Sequence, residues 1–266
     1  MKYLLDELKE VETFSNDKRI GLFLDFDGTL ASINERPGDV FLPSKTKQIL
    51  LDLKEKSGFY LAIISGRGLE DLKSKVNIPN ITYSGNHGLE WEIDGKKESR
   101  FIKKIKFKML ANLKKRIEKL KLEFKGVYVE DKKITISIHY RVVAQDQLEA
   151  FKKKIEKLIK PYVQSGKLIV MRGKKVYSIR PKAGWNKGMF SKLLVEQLSK
   201  KKASKLLPIY IGDDTTDEDA FLRLKEGITV KVGESSESCA KYYVEDIIEV
   251  VEVLEWLNKK NTSPQD

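Results

Sequence analysis

Two aspartates separated by one residue directly follow an apolar run in the stretch FLDFDGTLAS, Phe23 to Ser32. The run has the composition of a buried strand, so Asp25 and Asp27 come where that strand leaves the core. Carboxylates taken partly out of water repel each other and resist ionisation unless a cation or proton chemistry is present. We therefore expect Asp25 and Asp27 to bind a cation or to transfer protons.

Three further polar segments have residue types that suit the same chemistry. The segment SGR (residues 65–67) follows LAII, Lys187 lies in GWNKG, and Asp213 and Asp214 follow IYI in YIGDDTTDEDAF. In open α/β sheets, ligands bind beyond the carboxyl ends of the strands. Carboxylate oxygens without His or Cys are the donors that Mg²⁺ prefers, with water and a substrate phosphate completing its shell. Together the four segments predict a magnesium site that handles a phosphate group.

Each segment also has a purely structural interpretation when it is taken alone. Asp25 to Gly28 fits an Asx turn, Ser65 fits a helix N-cap, and the acidic run Asp217 to Asp219 fits the dipole of a helix that begins there. We keep the last interpretation in part, because TTDEDAF has the pattern of a helix start. For the first segment, the presence of the other three segments favours a role in catalysis or metal binding over an Asx turn.

The elements that must position these segments are short apolar strands alternating with helical patterns. The predicted strands are RIGLFLDF, GFYLAIIS, NITYSG, LLPIYIG, GITVKVG and KYYVED. A helical pattern such as SKTKQILLDLKEKSG, with Ser44 as its N-cap and Gly58 at its end, separates the first two. This alternation predicts an α/β fold with a parallel sheet that helices cover on both faces.

The middle of the chain has a different order. A long helical pattern precedes two strands, a second helix near residues 148–159 and two more strands, which predicts an α+β module. We expect residues 101–181 to form this module, inserted into a main domain of residues 1–100 and 182–266. Apolar and polar residues alternate in KITISIHYR, so the helices should cover one strand face and leave the other to close over the site as a lid. The apolar positions of the first helix of the module are Ile102, Ile105, Met109, Leu113, Ile117 and Leu120. In the strand, the apolar face contains Ile134, Ile136, Ile138 and Tyr140, and the polar face contains Thr135, Ser137, His139 and Arg141.

Composition bounds the remaining function classes. The net charge is +12, but lysines alternate with apolar positions in helical segments, so we interpret the charge as a solvated surface. The single Cys239 excludes an intrachain disulfide. Asp6 and Glu7 interrupt the apolar start of the chain, which is not the pattern of a signal peptide. We expect a cytoplasmic monomer without a nucleic-acid or membrane partner.

Four ordered segments, DFDGTL, SGR, GWNKG and GDDTTDED, resemble the motifs of the haloacid dehalogenase superfamily of phosphatases. Further segments, GNHGLE, VEDKKITISIHYR, IRPKAGWNKG and GDDTTDEDAF, resemble the trehalose-6-phosphate phosphatase family. The resemblance implies a haloacid-dehalogenase-like (HAD-like) Rossmannoid core sheet with an inserted α+β cap of the C2 type. It also implies a Mg²⁺-dependent hydrolysis of trehalose 6-phosphate, with the small sugar phosphate as the partner.

The same resemblance implies the roles of the acidic residues. Asp25 would attack phosphorus and form an aspartyl-phosphate, and Asp27 would protonate the departing sugar oxygen and then deprotonate the attacking water. Asp25, the backbone carbonyl of Asp27, and Asp213 would hold Mg²⁺. Asp214 would orient a bound water or Lys187.

Contacts to the substrate also follow from the resemblance. Ser65 and Lys187 would neutralise and position the phosphoryl oxygens. The other implied substrate-binding residues are Gly66, Arg67, Asn86, His87, Glu130, Lys132, Arg141 and Lys174. We interpret His139 as a member of a polar strand ladder. Ser178 stands two residues before Arg-Pro, where the family usually has Glu, so the hydroxyl contacts of that carboxylate are absent.

Other functions are compatible with parts of the pattern. The same chemistry could act on sucrose 6-phosphate or a glucosylglycerol-type phosphate, and a phosphomutase would transfer the phosphoryl group to a second sugar hydroxyl. A basic nucleic-acid-binding module has only the charge in its favour, because no aromatic-rich basic strand or helix-turn-helix pattern accompanies it.

Overall fold

The protein is described by a computed structural model at residues 1–34, 37–99, 107–173, 175–182, 184–201 and 205–260. Lys174 and the first two apolar positions of the expected cap helix, Ile102 and Ile105, lie outside these residues. The strands are β1 (Lys2–Tyr3), β2 (Arg19–Leu24), β3 (Phe59–Ile64), β4 (Thr82–Gly85), β5 (Glu90–Ile93), β6 (Lys96–Ser99), β7 (Tyr128–Asp131), β8 (Ile136–His139), β9 (Leu168–Gly173), β10 (Val176–Pro181), β11 (Leu206–Gly212), β12 (Ile228–Val232) and β13 (Tyr242–Val244). The helices are α1 (Leu8–Ser15), α2 (Ser44–Glu55), α3 (Leu69–Val76), α4 (Phe107–Glu123), α5 (Leu148–Gln164), α6 (Lys187–Lys201), α7 (Glu218–Arg223) and α8 (Ile247–Lys259).

The chain folds into two compact units. The core unit comprises Met1–Glu98 and Trp185–Asp266, and the inserted unit comprises Ser99–Gly184. Among the described residues, no helix combines the length and the apolar character needed to cross a membrane.

A mostly parallel sheet forms the centre of the core unit. Its strand order among the described residues is β1-β13-β12-β11-β2-β3-β4-β5-β6, and every pair from β1 to β4 in that order is parallel. Strand β5 then pairs with β4 in the antiparallel direction. Every residue of β2 is buried, as the apolar run from Ile20 to Leu24 predicts for a strand between two helical layers, and the buried Arg19 at its start donates to the Leu198 carbonyl. The predicted α/β fold class with a parallel sheet is confirmed.

One helix boundary differs from the prediction. Ser44 is the first residue of α2 and not its N-cap, because the extended residue Pro43 (φ −59°, ψ 142°) takes that position. The proline ring fixes φ at a value suited to the entry of a helix, and no side chain caps the first turn of α2. The helix ends at Glu55, and Gly58 turns the chain into β3 with a φ of +83°.

The described residues of the inserted unit form a four-stranded antiparallel sheet and two helices. Its strand order is β7-β8-β10-β9, and α4 and α5 pack on one face around a core that includes Leu113, Ile117, Phe151 and Ile155. The predicted apolar strand face is confirmed, since Ile136, Ile138 and Tyr140 lie in that core.

Charge is segregated between the two units. The inserted unit holds 25 Lys and Arg against 7 Asp and Glu, a formal charge of +18, whereas the core unit holds 26 against 32, a charge of −6. The whole-chain value of +12 conceals this difference. A positive field of this size raises the local concentration of anionic small molecules.

Candidate active site

The predicted polar segments meet at one edge of the core sheet. Strands β11, β2, β3 and β4 are neighbours and parallel, so their carboxyl ends point the same way. Asp213 follows β11, Asp25 follows β2 and Ser65 follows β3. Lys187 joins them as the first residue of α6.

A buried lysine links two buried aspartates at this edge. The Nζ atom of Lys187 lies 2.8 Å from Oδ1 of Asp25 and 2.8 Å from Oδ1 of Asp217. The three residues are 1%, 4% and 0% exposed, respectively. Burial alone would lower the pKa of Lys187, but Asp217 and then Asp25 outweigh it and raise that pKa, so the ammonium stays charged. A fixed positive charge therefore lies beside Asp25.

Three carboxylates form a cluster that suits a divalent cation. One oxygen each of Asp25, Asp213 and Asp217 lies within 4.8 Å of the others. Burial, aided by Asp217, raises the pKa of Asp213 to about 6. Burial likewise raises the pKa of Asp25 well above its usual range, Lys187 opposes this shift, and Asp217 and Asp213 add to it. One lysine does not neutralise three clustered carboxylates, of which Asp25 and Asp217 are buried and Asp213 is partly buried, and an all-oxygen donor set is the set that Mg²⁺ selects.

Two glycines leave the space that the aspartates occupy. A Cβ atom on Gly28, whose φ is +86°, would lie 2.1 Å from Oδ2 of Asp213. A Cβ atom on Gly212 would lie 2.3 Å from Cγ of Asp217. The hydroxyl of Thr29 also donates to Oδ1 of Asp213 at 3.3 Å. The position of Asp213, which comes much later in the chain, therefore requires the glycine of DFDG.

The contact with Lys187 that is expected of Asp214 is made by Asp217. Asp214 is expected to orient a bound water or Lys187, but Lys187 bonds to Asp217, and the Asp214 carboxylate accepts hydrogen bonds from Thr215 N (2.7 Å) and Thr216 Oγ1 (3.3 Å), so its contact with a bound water stays a prediction. The turn before α7 causes this exchange, because Asp217 Oδ2 accepts from Asp214 N at 3.0 Å and thereby turns its carboxylate inward. We had assigned Asp217 only to the start of a helix, and it does precede the first residue of α7. The sequence feature that points to a place for Asp217 in the site is its spacing of four residues from Asp213.

Asp27 is held by an arginine of the neighbouring loop. Arg67 donates from Nε to Asp27 Oδ2 (2.7 Å) and from Nη2 to Asp27 Oδ1 (2.6 Å), a bidentate pair, and from Nη1 to Asp71 Oδ2 (2.9 Å). Arg67 is 4% exposed and its guanidinium lies 5.3 Å from the centre of the Phe26 ring. The described geometry therefore shows Arg67 orienting the expected acid and base, whereas its expected contact with substrate stays a prediction.

The SGR segment packs against the loop that contains His87. The Ser65 hydroxyl accepts from Arg67 N at 3.2 Å, and α3 begins after Gly68, so Ser65 is not a helix N-cap. A Cβ atom on Gly66 would lie 2.6 Å from Cε1 of His87, which places the imidazole directly over that glycine. His87 itself has a left-handed backbone with a φ of +58°. This contact joins two segments that the sequence separates by twenty residues.

Asn86 is a buried part of the same loop. It is 0% exposed, its amide Nδ2 donates to Glu90 Oε1 at 2.5 Å, and Glu90 Oε1 also accepts from Leu69 N at 2.8 Å. Glu90 therefore ties the loop to the first residue of α3, a role that sequence reasoning missed. The expected sugar contact of Asn86 stays a prediction.

The remaining substrate-binding predictions fall in the inserted unit. On the strand face opposite its core, Glu130 Oε2 lies 3.1 Å from His139 Nε2 and 3.5 Å from Lys132 Nζ. His139 is thus a partner of Glu130 in a cross-strand pair, as expected of a ladder residue. Arg141 follows β8. The strand register places Ser178 opposite Ser137, which in turn lies opposite Glu130.

Comparisons with known proteins agree with this architecture. A sequence model of the family described as Trehalose-phosphatase matches residues 23–247. Trehalose-phosphate phosphatase B of Arabidopsis thaliana is 31% identical in an alignment 266 positions long, which covers 95% of this chain and 70% of that protein. The solved C-terminal domain of C. albicans trehalose-6-phosphate phosphatase is 25% identical and superimposes with a TM-score of 0.80 over 96% of each chain. A haloacid dehalogenase-like hydrolase from Bacteroides thetaiotaomicron, 17% identical, shares the fold with a TM-score of 0.63 over 90% of this chain and all of the other. The chain therefore belongs to the trehalose-phosphatase family and has the fold of a haloacid dehalogenase-like hydrolase.

Proposed function

We propose that this chain hydrolyses trehalose 6-phosphate to trehalose and phosphate through an aspartyl-phosphate on Asp25. The family makes it a phosphoric monoester hydrolase. The observation that supports the mechanism best is the buried contact of 2.8 Å between Lys187 Nζ and Asp25 Oδ1 at the edge where Asp213 also lies. A carboxylate held next to a fixed ammonium and clustered acids is suited to attack an anionic phosphate ester, because the ammonium offsets the repulsion.

The carboxylate cluster fits Mg²⁺ as a cofactor. Asp25 and Asp213 are the side chains we propose as ligands, together with the backbone carbonyl of Asp27. Asp217 has both oxygens engaged by Lys187, Tyr210 and Asp214 N, so we propose that it supports the site without replacing those bonds. When bound, Mg²⁺ would keep the clustered carboxylates ionised and would polarise the phosphoryl group.

The reaction would proceed in two displacements on phosphorus. An oxygen of Asp25 forms a bond to phosphorus while the bond from phosphorus to the sugar oxygen breaks, and Asp27 gives that oxygen a proton. Asp27 then takes a proton from the water that attacks the aspartyl-phosphate, which releases phosphate and restores Asp25. Lys187 and Ser65 neutralise and position the phosphoryl oxygens in both steps.

Arg67 determines where Asp27 can act. The guanidinium binds both Asp27 oxygens at 2.6 and 2.7 Å, so Asp27 must exchange at least one of these bonds before it can protonate the sugar oxygen. We propose that substrate binding makes this exchange, while the contact to Asp71 keeps Arg67 in place.

We propose that the inserted unit, within the boundaries 101–181, is the lid that selects the sugar. Its polar sheet face carries Glu130 in the row that contains Ser137 and Ser178, Lys132 lies beside Glu130, and Arg141 follows β8. Acidic and hydroxyl side chains on one face can accept from and donate to the hydroxyls of a disaccharide. Lys174 and the loop residues Gly66, Asn86 and His87 complete the proposed substrate contacts.

Phosphate release from a panel of esters tests the proposal. Wild-type protein with Mg²⁺ should release phosphate from trehalose 6-phosphate faster than from sucrose 6-phosphate, a glucosylglycerol phosphate or glucose 6-phosphate. The Asp25→Asn variant should be folded, by circular dichroism, and inactive on all of them. Faster release from another ester would reassign the substrate, and activity in Asp25→Asn would remove the nucleophile. Gel filtration and cell fractionation would test the further proposal of a cytoplasmic monomer.

A further inference from the structure

Tyr210 lies below the carboxylate cluster on the central strand β11 and has no part in the chemistry described above. Its side chain is completely buried. Its neighbours Ile209 and Ile211 belong to the main apolar cluster, so Tyr210 points to the opposite face of the sheet, where its ring meets Phe221 edge-on at 5.8 Å. A phenylalanine would fill the same apolar space, so the buried hydroxyl needs a separate explanation.

The hydroxyl donates to the aspartate that binds the active-site lysine. Tyr210 Oη lies 2.7 Å from Asp217 Oδ1, and the same oxygen accepts from Lys187 Nζ at 2.8 Å. The other Asp217 oxygen accepts from Asp214 N at 3.0 Å. Three donors from three elements therefore fix the plane of one carboxylate. Burial, followed by Asp217 and Asp25, raises the pKa of Tyr210 well above its usual value, so the hydroxyl keeps its proton and remains a donor.

From this geometry we propose that Tyr210 is a positioning residue for the phosphatase reaction, holding Asp217 so that Lys187 stays against the nucleophile Asp25. The proposal rests on the proposed role of Asp25. Lys187 lies between two carboxylates at equal distances of 2.8 Å, so its direction depends on how each of them is held. Because the hydroxyl shares Oδ1 of Asp217, that oxygen is less available to the ammonium. Without the hydroxyl, Lys187 is the one described donor left to Oδ1 of Asp217, so its ammonium is drawn toward Asp217 and away from Asp25.

The Tyr210→Phe variant tests this proposal, because it deletes the hydroxyl and keeps the ring. We expect kcat to fall about 10-fold, the loss typical of one charge-assisted hydrogen bond, while KM changes less than about 2-fold. A second measurement is independent of turnover. In metal-free protein labelled with ¹⁵N-lysine, the Nζ resonance of Lys187, assigned by its disappearance in Lys187→Met, should shift in Tyr210→Phe.

Tyr83→Phe is the matched control. Tyr83 is also a buried tyrosine of the core sheet, 2% exposed, and its hydroxyl bonds to Ile78 N and Ile78 O, away from the cluster. It should lose stability without losing kcat and without moving the Lys187 resonance.

Three results would overturn the proposal: Tyr210→Phe with kcat within about 2-fold of wild type, an unmoved Lys187 resonance, or an equal loss of kcat in Tyr83→Phe. Kinetics would be measured on whichever phosphate ester the wild type hydrolyses. If the wild type hydrolyses none, the proposed function fails, while the resonance still reports whether Tyr210 positions Lys187.

Discussion

Replacing Gly28 by alanine should remove Asp213 from the site while the fold remains. The new Cβ would lie 2.1 Å from Asp213 Oδ2 and 2.4 Å from Asp213 Cγ. Moving that oxygen from 2.1 Å to a tolerable contact of about 3.4 Å requires the carboxylate to retreat by about 1.3 Å. A misplacement of roughly 1 Å in a catalytic constellation can lower the rate about 100-fold.

The variant also carries a backbone penalty that needs its own control. Gly28 has a φ of +86°, and an L-residue in that region costs about 1–2 kcal/mol. Gly95, in the turn between β5 and β6, has a φ of +73° and no atom within 4 Å of its would-be Cβ. Gly95→Ala therefore has a similar strain without the collision.

Steady-state kinetics and chemical denaturation separate the two effects. Both variants should lose about 1–2 kcal/mol of unfolding free energy. Only Gly28→Ala should lose about 100-fold in kcat and weaken half-saturation by Mg²⁺ about 10-fold or more. Normal activity and Mg²⁺ affinity in Gly28→Ala would show that Asp213 does not belong to the reactive cluster, and equal losses in Gly95→Ala would show a general effect of strain.

Three further predictions concern the acids, the arginine and the charge. Arg67→Ala should slow hydrolysis of a sugar phosphate at least about 10-fold more than that of p-nitrophenyl phosphate, whose leaving group needs no proton from Asp27; equal losses on both esters would contradict this. The folded-state pKa of Asp213 is raised to about 6, so its contribution to the stability of the metal-free protein falls as pH rises from about 4 to about 6. At a Mg²⁺ concentration of about 100 times the Kd at pH 7.5, Tm should consequently rise by roughly 5–10 °C at about pH 7.5, and the same concentration should raise Tm by less at about pH 5. The Asp213→Asn variant should not show this difference between the two pH values. The charge of +18 on the inserted unit predicts that kcat/KM falls with rising salt while kcat does not; a salt-independent kcat/KM would contradict it.

The parts of the site that the sequence predicts are those set by strand ends. Because β11, β2 and β3 are parallel neighbours, residues just past each strand, Asp213, Asp25 and Ser65, had to share an edge. The alternation of side chains between the two faces of a strand likewise predicts that Ile136 and Ile138 of β8 lie on the apolar face of the inserted sheet.

The parts that it does not predict are side-chain contacts across loops. Asp217 reaches Lys187 only because a turn folds it back onto Asp214 N, and the period of a helix start says nothing about that turn. The pairing of Arg67 with Asp27 spans forty residues and depends on two side-chain rotamers. Such contacts depend on tertiary packing, which the local pattern does not encode.

Chemical quench of a single turnover tests the central claim most directly. In an Asp27→Asn variant the attack on phosphorus of p-nitrophenyl phosphate, whose leaving group needs no proton, should still occur, while the water step, which needs a base, should be slow. Acid quench after mixing with p-nitrophenyl phosphate and Mg²⁺, followed by peptide mass spectrometry, should find one phosphoryl group on Asp25 and none when Asp25 is also replaced by Asn. A phosphoryl group on another residue, or turnover at the wild-type rate in Asp25→Asn, would contradict the account.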